Sequence, residues 1–511
     1  MTFHSILHRH DCADTPMAQA VAPQHFRDLN LDHVVAAVTA GRDEYDLALF
    51  FYRPLGVVAD IHYRQQVMRD LEDTELFARM LSFAGRMQEM HSRLRAAEQA
   101  YYEWHKRGWQ LDAAATYCVA VRQLAADLNE ARPASDGLLG LRDWLNAYTA
   151  AADFASLADD TERLAAALRT VDYALVIRGL AVTVRKYQGE PDYSAEIEAV
   201  FAKFRQGDVK NYLVNFPEYP GMGHVEAQIV ELVAKLYPEI FGFYKAYCEN
   251  HENFIEPTLR RFEREIQFYI SYRQFIDRLR AAGLPFCYPV VECQAKSVHG
   301  NDVFDLALAA RLVAENRAVV PNDFFLQDGE RVLVVSGPNQ GGKTTLGRTI
   351  GQLHYLASLG CPVPGSDARV TLCDRILTHF EKEEHVATLR GKLQDDLLRM
   401  REVLEQATPS SLVVVNEIFA STALEDAVFL ATEILQRIIA LGCLGVCVTF
   451  LDELSRLGPA VVSMVSTVDP DDPARRTFKL VRRPADGRAY ALAIARKHRL
   501  TYPQLKARLA S

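Results

Sequence analysis

The sequence predicts an α + α/β chain: a long-helical first part, then an α/β part built on a mostly parallel sheet. Three observations carry this. Apolar residues recur at helical spacing through most of the first 290 residues. From about residue 290 short apolar runs alternate with helical patterns: "RVLVVS", "TTLGRTIGQLHYLASLG", "KLQDDLLRMREVLEQA", "SLVVVNE", "LEDAVFLATEILQRIIALG", "LGVCVTF". A glycine-rich loop, "SGPNQGGKTT", stands between one such run and one such helix.

Taken in order, the chain opens on "MTFHSILHRHDCADTPM", which lacks the apolar core of a secretory leader. His4, His8, His10 and Cys12 are irregularly spaced, so the segment reads as a frayed polar terminus rather than a metal site. Leu76, Met80, Phe83, Met87, Met90 and Leu94 recur at steps of three and four and predict one long helix packed along an apolar stripe, with Thr74 placed as its N-cap. Further helical stretches are expected near 112–132, 160–170, 193–206, 224–247 and 253–282. "YALVIRGLAVTVRKYQGEPDY" is β-branched and alternating about Arg178-Gly179, which predicts a hairpin. A Pro/Gly-rich break, "GDVKNYLVNFPEYPGMGH", follows.

The chain has 511 residues, 49% of them hydrophobic, enough for two to four domains with buried cores. Its net charge of −9 excludes a basic field over the whole molecule, so any nucleic-acid contact must be local. Candidates are Arg178, Arg185 and Lys186 on the hairpin, with Lys203, Arg205 and Lys210 nearby; a solvated surface is the alternative role. Nine scattered cysteines without a CxxC pair read as reduced thiols of a cytoplasmic protein. No run of about 18 apolar residues predicts a membrane span.

Gly337 to Thr344 spell G-x-x-x-x-G-K-T, the phosphate-loop (Walker A) pattern, entered from the apolar run Val332 to Val335. Gly337, Gly341 and Gly342 allow a tight turn that aims N–H groups at phosphates, with Pro338, Asn339 and Gln340 between them and Thr345 just beyond. Lys343 is the point charge for the β and γ phosphates of ATP, and the Thr344 hydroxyl is a ligand for Mg²⁺. A second apolar run, Leu412 to Val415, ends on Asn416 and Glu417, where nucleotide hydrolases usually carry two acids. An amide in place of the first acid removes one negative charge about 5 Å from the metal, a gross Coulomb term of several kcal/mol at an effective dielectric of ~20. The net loss is smaller because burying that carboxylate was itself costly. The Asn416 carbonyl still accepts a hydrogen bond from a metal-bound water, and Glu417 is the candidate that orients the attacking water.

"SGPNQGGKTT" resembles the phosphate loop TGPNMGGKST of the MutS family of DNA mismatch-repair ATPases. The order downstream is similar: "SLGCPVPG" resembles IGxxVPA, "CDRILTHF" resembles DRIFTR, "SLVVVNEIFAST" resembles SLVLMDEIGRGTS, and "VTFLDELSRL" resembles ATHYFELT. "RRTFKLVRRPADGRAYALAIARKHRL" is similar to the family's ending, and "FFYRPLGVVADIHYRQQVMRDLED" to the stretch that opens its helical lever domain. The resemblance covers about 40 to 500 and is closest from 330 to 500.

It implies an N-terminal segment (1–40), a helical core and lever domain (41–290) with a short clamp-like β insertion (about 172–222), and an ABC-like ATPase domain (291–511) ending in a helical dimerisation segment. It also implies a homodimer sandwiching each ATP between one subunit's phosphate loop and the other's signature segment, with levers closing on DNA. Carried over by position, Gly391 and Lys392 stand at the trans signature, Asp426 in the D-loop, and Asn322 beside the base, while Val319 falls where the family stacks an aromatic ring. Phe450 stands where the family has its switch histidine. A cation at the signature suggests that Lys392, Arg390 or both reach the γ-phosphate across the dimer; a solvated basic helix start is the alternative role.

The departures shape the expected function. About 40 residues precede the levers, too few for the mismatch-recognition and connector domains, so specific mismatch reading is not expected. No nuclease-like extension follows residue 500, which makes the nuclease-bearing branch of the family a poor match. Two readings stay open: a slow DNA-dependent ATPase acting as a dimeric clamp in DNA repair or recombination, and a non-catalytic ATP-gated scaffold that recruits a protein partner. A long-coil ABC-type repair ATPase fits worse, because no heptad arms interrupt the ATPase half.

Overall fold

The computed structural model describes residues 3–10, 21–179, 181–190, 221–293, 297–381, 391–469 and 475–485, together with residues 196, 471, 500–502 and 506. It is a mixed helix and sheet structure that divides into two compact units. One is formed by Thr74–Pro133 and Leu139–Glu263, with the extreme N-terminus. The other is formed by His4–Asp73, Ala134–Leu138 and the described residues from Arg264 on.

In the first unit the expected apolar stripe lies on helix Thr74–Gln99, where Leu76, Met80, Phe83, Met87 and Met90 are buried. It packs along helix Glu103–Ala131, whose Ala114, Tyr117, Val121, Leu124 and Leu128 repeat the same spacing. Helices Asp136–Ala150 and Ala152–Arg169 follow. The stretch expected over 224–247 is two helices, His224–Leu236 and Pro238–Asn250. Pro238 lacks an amide hydrogen and cannot continue the first helix, but it suits the first position of the second. The stretch expected over 193–206 lies outside the described residues, apart from Glu196.

The expected hairpin is present. Strands β1 (Tyr173–Arg178) and β2 (Ala181–Lys186) pair antiparallel, with Arg178 opposite Ala181 and Gly179 at a φ of 64° in the turn. Alternation puts Arg178 and Arg185 on one face and Lys186 on the other. Lys186 covers the ring of Tyr237 at 4.7 Å, and Arg185 pairs with Glu190 at 3.0 Å.

The second unit opens on a docked N-terminal segment. Residues 5–7 are not frayed: Ser5, Ile6 and Leu7 are buried. Ser5 Oγ and the Ile6 amide donate to Glu265, Tyr269 donates to the Ile6 carbonyl, and the buried Arg64 donates to the Leu7 carbonyl. Two apolar residues between histidines suffice to dock the segment once its backbone groups find partners. Among the described residues no group of His, Cys, Asp or Glu has the arrangement to hold a metal ion. No described helix is long and apolar enough to cross a membrane.

Twelve further strands follow: β3 (Phe286–Cys287), β4 (Val290–Glu292), β5 (Val298–Val303), β6 (Asn322–Leu326), β7 (Val332–Ser336), β8 (Val363–Pro364), β9 (Asp367–Thr371), β10 (Ile376–His379), β11 (Leu412–Asn416), β12 (Leu444–Val448), β13 (Val461–Val468) and β14 (Arg476–Arg482). The main sheet has the order β10-β11-β12-β7-β13-β14, parallel throughout except for the antiparallel edge strand β14. Strands β7 and β11 are buried along their whole length, which is why their sequences read as continuous apolar runs. A second sheet has the order β4-β9-β5-β6.

Two histidines, His354 buried and His25 half-buried, are expected to make this unit acid-sensitive. Burial pushes His354, in helix Lys343–Ser358, down to about 4, and His25 to about 4 as well. Both are neutral in the fold, whereas an unfolded histidine takes a proton below about 6.5. Their contribution is therefore complete above that pH and is lost as pH falls towards 4, at roughly 2–3 kcal/mol for each histidine. The melting temperature is expected to fall steeply between pH 7 and 4.5, and less steeply in His354→Leu, as followed by circular dichroism.

Candidate functional site

Parallel strands in one sheet end on the same edge, and loops leaving that edge converge. Here β7 leads into Gly337–Gly342, β11 ends on Asn416 and continues into Glu417, and β12 leads into Thr449 and Phe450. The order β11-β12-β7 therefore brings the sequence's two candidate motifs to one edge.

The glycine-rich loop is wound as its composition requires. Gly337 has a φ of 114°, Gly342 of 91°, and Gln340, without glycine's freedom, of 59°. At Gly341 the constraint is space: a Cβ there would lie 2.2 Å from Ser466 Oγ and 2.9 Å from the Pro338 carbonyl oxygen. Ser466, at a bulge in β13, donates to the Gly341 carbonyl at 2.7 Å and braces the loop from beneath. The Lys343 ammonium is folded back onto the loop, donating to the Gly337 carbonyl at 2.8 Å and to Asn339 Oδ1 at 3.3 Å. Burial pushes this ammonium below the usual lysine range, against the pull of Glu417 and Asp452; the charge of Arg476 adds to the lowering.

Thr344 Oγ1 donates to Asn416 Oδ1 at 2.8 Å. A hydroxyl whose proton is engaged this way presents its lone pairs outward, the orientation a metal ligand needs. Glu417 follows at a φ of 53°, with its amide donating to the Val448 carbonyl at 2.8 Å. Phe419 also lies in the left-handed region, at 60°. Its side chain is fully buried in the core formed with Val415, Ile418 and Leu435. A bulky residue in that conformation is costly, and the burial of its ring offsets the strain.

Asn339 to Thr345, Glu417, Leu308 and Phe478 line a cavity of about 410 Å³. An adjoining cavity of about 280 Å³ shares Leu308, Gly342, Thr345 and Phe478 and is lined otherwise mainly by apolar groups, including Phe304, Val319 and Val320. One polar chamber rich in backbone amides thus opens beside one apolar chamber, a combination that can hold a polyphosphate joined to a flat ring. Asn322 shapes the apolar chamber: Nδ2 donates to the Phe478 carbonyl at 3.1 Å and Oδ1 accepts from the Leu480 amide at 2.8 Å. Phe478 is held there at a φ of 59°. Sequence reasoning missed Ser466, Phe419 and Phe478. Only Phe419 left a signal, as a large residue at a position where the resembling segment has glycine.

The other sequence candidates stand apart from these chambers. Lys392, first residue of helix Lys392–Gln406 after Gly391, pairs with Glu381 of the same chain. Asp426 is exposed in the first turn of helix Leu424–Leu441, and Phe450 is exposed beyond β12. Arg390, Lys203, Arg205 and Lys210 lie outside the described residues.

Residues 333–504 match the family MutS domain V. The chain is 33% identical over 189 residues to Endonuclease MutS2 of Gemmatimonas aurantiaca, covering 36% of this chain and 23% of that protein. It is 34% identical over 189 residues to Endonuclease MutS2 of Thermus thermophilus, covering 37% and 25%. It is 28% identical over 321 residues to DNA mismatch repair protein MutS of Symbiobacterium thermophilum, covering 51% and 36%. The matched region spans about a quarter to a third of the length of these relatives. Both kinds of relative match at similar identity, so the expected distance from the nuclease-bearing branch finds no support in the matched segment.

Proposed function

We propose that this chain, a member of the MutS family, is an ATP-binding protein that hydrolyses ATP slowly and acts as a dimeric clamp on duplex or branched DNA in repair or recombination, without specific mismatch reading. The observation that carries the reading is the pair of adjoining chambers, polar around Lys343, Thr344 and Glu417 and apolar around Phe478. The phosphates of ATP suit the backbone N–H groups of Asn339 to Thr345 and the Lys343 ammonium, and the base suits the apolar chamber walled by Asn322.

Thr344 and, through water, Asn416 are the residues that would hold Mg²⁺, which when bound neutralises charge across the β and γ phosphates. Asn416 Oδ1 accepts the hydrogen bond of the Thr344 hydroxyl and so orients it. Glu417 orients and polarises the attacking water, and its backbone bond to Val448 keeps the carboxylate at the strand edge. In a homodimer joined through the ATPase units, Gly391, Lys392 and Asp426 complete the partner's site; Lys392 does so by exchanging Glu381 for a phosphate. DNA contacts are assigned to Arg178 and Arg185, which share one face of the hairpin, with Lys186 secondary because it sits over Tyr237.

A second reading, an ATP-gated scaffold that recruits a protein partner without turnover, is favoured by the amide at Asn416. A gel-shift series with matched duplex, mismatched duplex, branched and single-stranded DNA, each with and without ATP, tests the clamp. Salt-dependent, ATP-responsive binding is expected, with matched and mismatched duplex alike within about threefold. A clear mismatch preference contradicts the proposal. ATP binding without any DNA binding leaves the scaffold.

A further inference from the structure

Among the described residues that line the polar chamber, Glu417 is the one acid and Lys343 the one base. The position beside Thr344 is poorer still in negative charge. Thr344 Oγ1 is a neutral ligand, and its hydrogen bond goes to Asn416 Oδ1 at 2.8 Å. That bond uses one of the two lone pairs of the amide oxygen. The other terminus of the amide is an NH₂, which cannot accept a hydrogen bond from a metal-bound water. A carboxylate in its place would offer a second oxygen and a full charge. Asn416 is only 8% exposed, so solvent does little to make up for the missing charge.

The phosphates meet positive charge without a metal. Lys343 Nζ stands on the loop at the Gly337 carbonyl and Asn339 Oδ1, and helix Lys343–Ser358 points its N-terminal amides the same way. Metal and nucleotide are linked through the site: the factor by which Mg²⁺ strengthens ATP binding equals the factor by which the site strengthens Mg²⁺ binding to ATP. A hydroxyl and an amide replace water around the cation without adding charge, and Lys343 on the same phosphates opposes it. The protein's own share of the metal affinity is therefore small.

We infer that this site binds ATP with almost the same affinity in the absence of Mg²⁺ as in its presence, and that Asn416 is the residue that uncouples the two. This property rests on the nucleotide site proposed above. It separates two responses that a carboxylate at position 416 would tie together: binding answers to ATP alone, while turnover through Glu417 still requires the metal.

Isothermal titration of ATP into the wild-type chain and into N416D, each in excess Mg²⁺ and in EDTA, tests this, with melts followed by circular dichroism to verify that N416D folds. The wild type is expected to bind ATP within about threefold in the two buffers. In N416D the new carboxylate attracts Mg²⁺ and repels bare phosphates, so binding is expected at least about tenfold tighter with Mg²⁺ than in EDTA. A wild type that binds about tenfold or more weakly in EDTA overturns the inference, whether or not N416D folds. So does a folded N416D with the same ratio as the wild type, which removes Asn416 as the cause. The nucleotide reading fails separately: no ATP binding in either buffer removes the site itself, whereas binding only with Mg²⁺ keeps the site and removes the uncoupling.

Discussion

Lys343→Ala is expected to weaken ATP binding at least about 100-fold, a loss of ~2.8 kcal/mol, measured by isothermal titration. The buried ammonium holds the Gly337 carbonyl and Asn339 Oδ1, the places where a phosphate's charge would otherwise have to be met. It is already partly desolvated, so little further cost falls on it when a phosphate arrives. A charge-assisted bond made in such a setting is worth about 1.5–3 kcal/mol. The substitution also orphans the Gly337 carbonyl, but solvent can reach the chamber, so the fold is expected to melt within a few degrees of wild type.

Gly341→Ala is also expected to weaken ATP binding at least about 100-fold, by a different route. The added Cβ would stand 2.2 Å from Ser466 Oγ and 2.9 Å from the Pro338 carbonyl oxygen. Neither is the far end of a long side chain, so the loop itself must open and lose its amide cradle. Removing the hydroxyl in Gly341→Ala/Ser466→Ala relieves the shorter contact and leaves the Pro338 contact. The double variant is therefore expected to recover part of the binding, with a coupling of about 1 kcal/mol in a double-mutant cycle. Independent losses in the two single variants would show that Ser466 does not brace the loop.

What could be read in advance was local. The tight turn between β7 and helix Lys343–Ser358 was legible because glycine, lysine and threonine at fixed spacing leave few conformations that make sense after a buried strand. The hairpin was legible because Arg178-Gly179 interrupts an alternating β-branched run. The long helix was legible from the stripe Leu76 to Met90, and its burial agrees. What was not legible depends on pairings distant in sequence. Ile6 and Leu7 are buried because Glu265, Tyr269 and Arg64 happen to meet their backbone. Ser466 reaches Gly341 only because β13 lies beside β7. Phe478 joins the apolar chamber because Asn322 ties β14 to it. The helix break at Pro238 is a different case: it was written in the sequence, and the apolar spacing on either side masked it.

Asn416 first appears as the feature that decides whether the site works. In the structure its Oδ1 does what a carboxylate oxygen would do for the Thr344 hydroxyl, and Glu417 stands beside it in the lining of the polar chamber. On the proposed reading the amide weakens charge where Mg²⁺ would bind and leaves Glu417, the residue proposed to activate water, in place. The most direct test is steady-state ATP turnover by the purified wild-type chain against Glu417→Gln, with and without duplex DNA. Slow turnover in the wild type, reduced at least about 100-fold in the variant with ATP binding retained, is the expected result. Equal rates in the two proteins would contradict hydrolysis through Glu417.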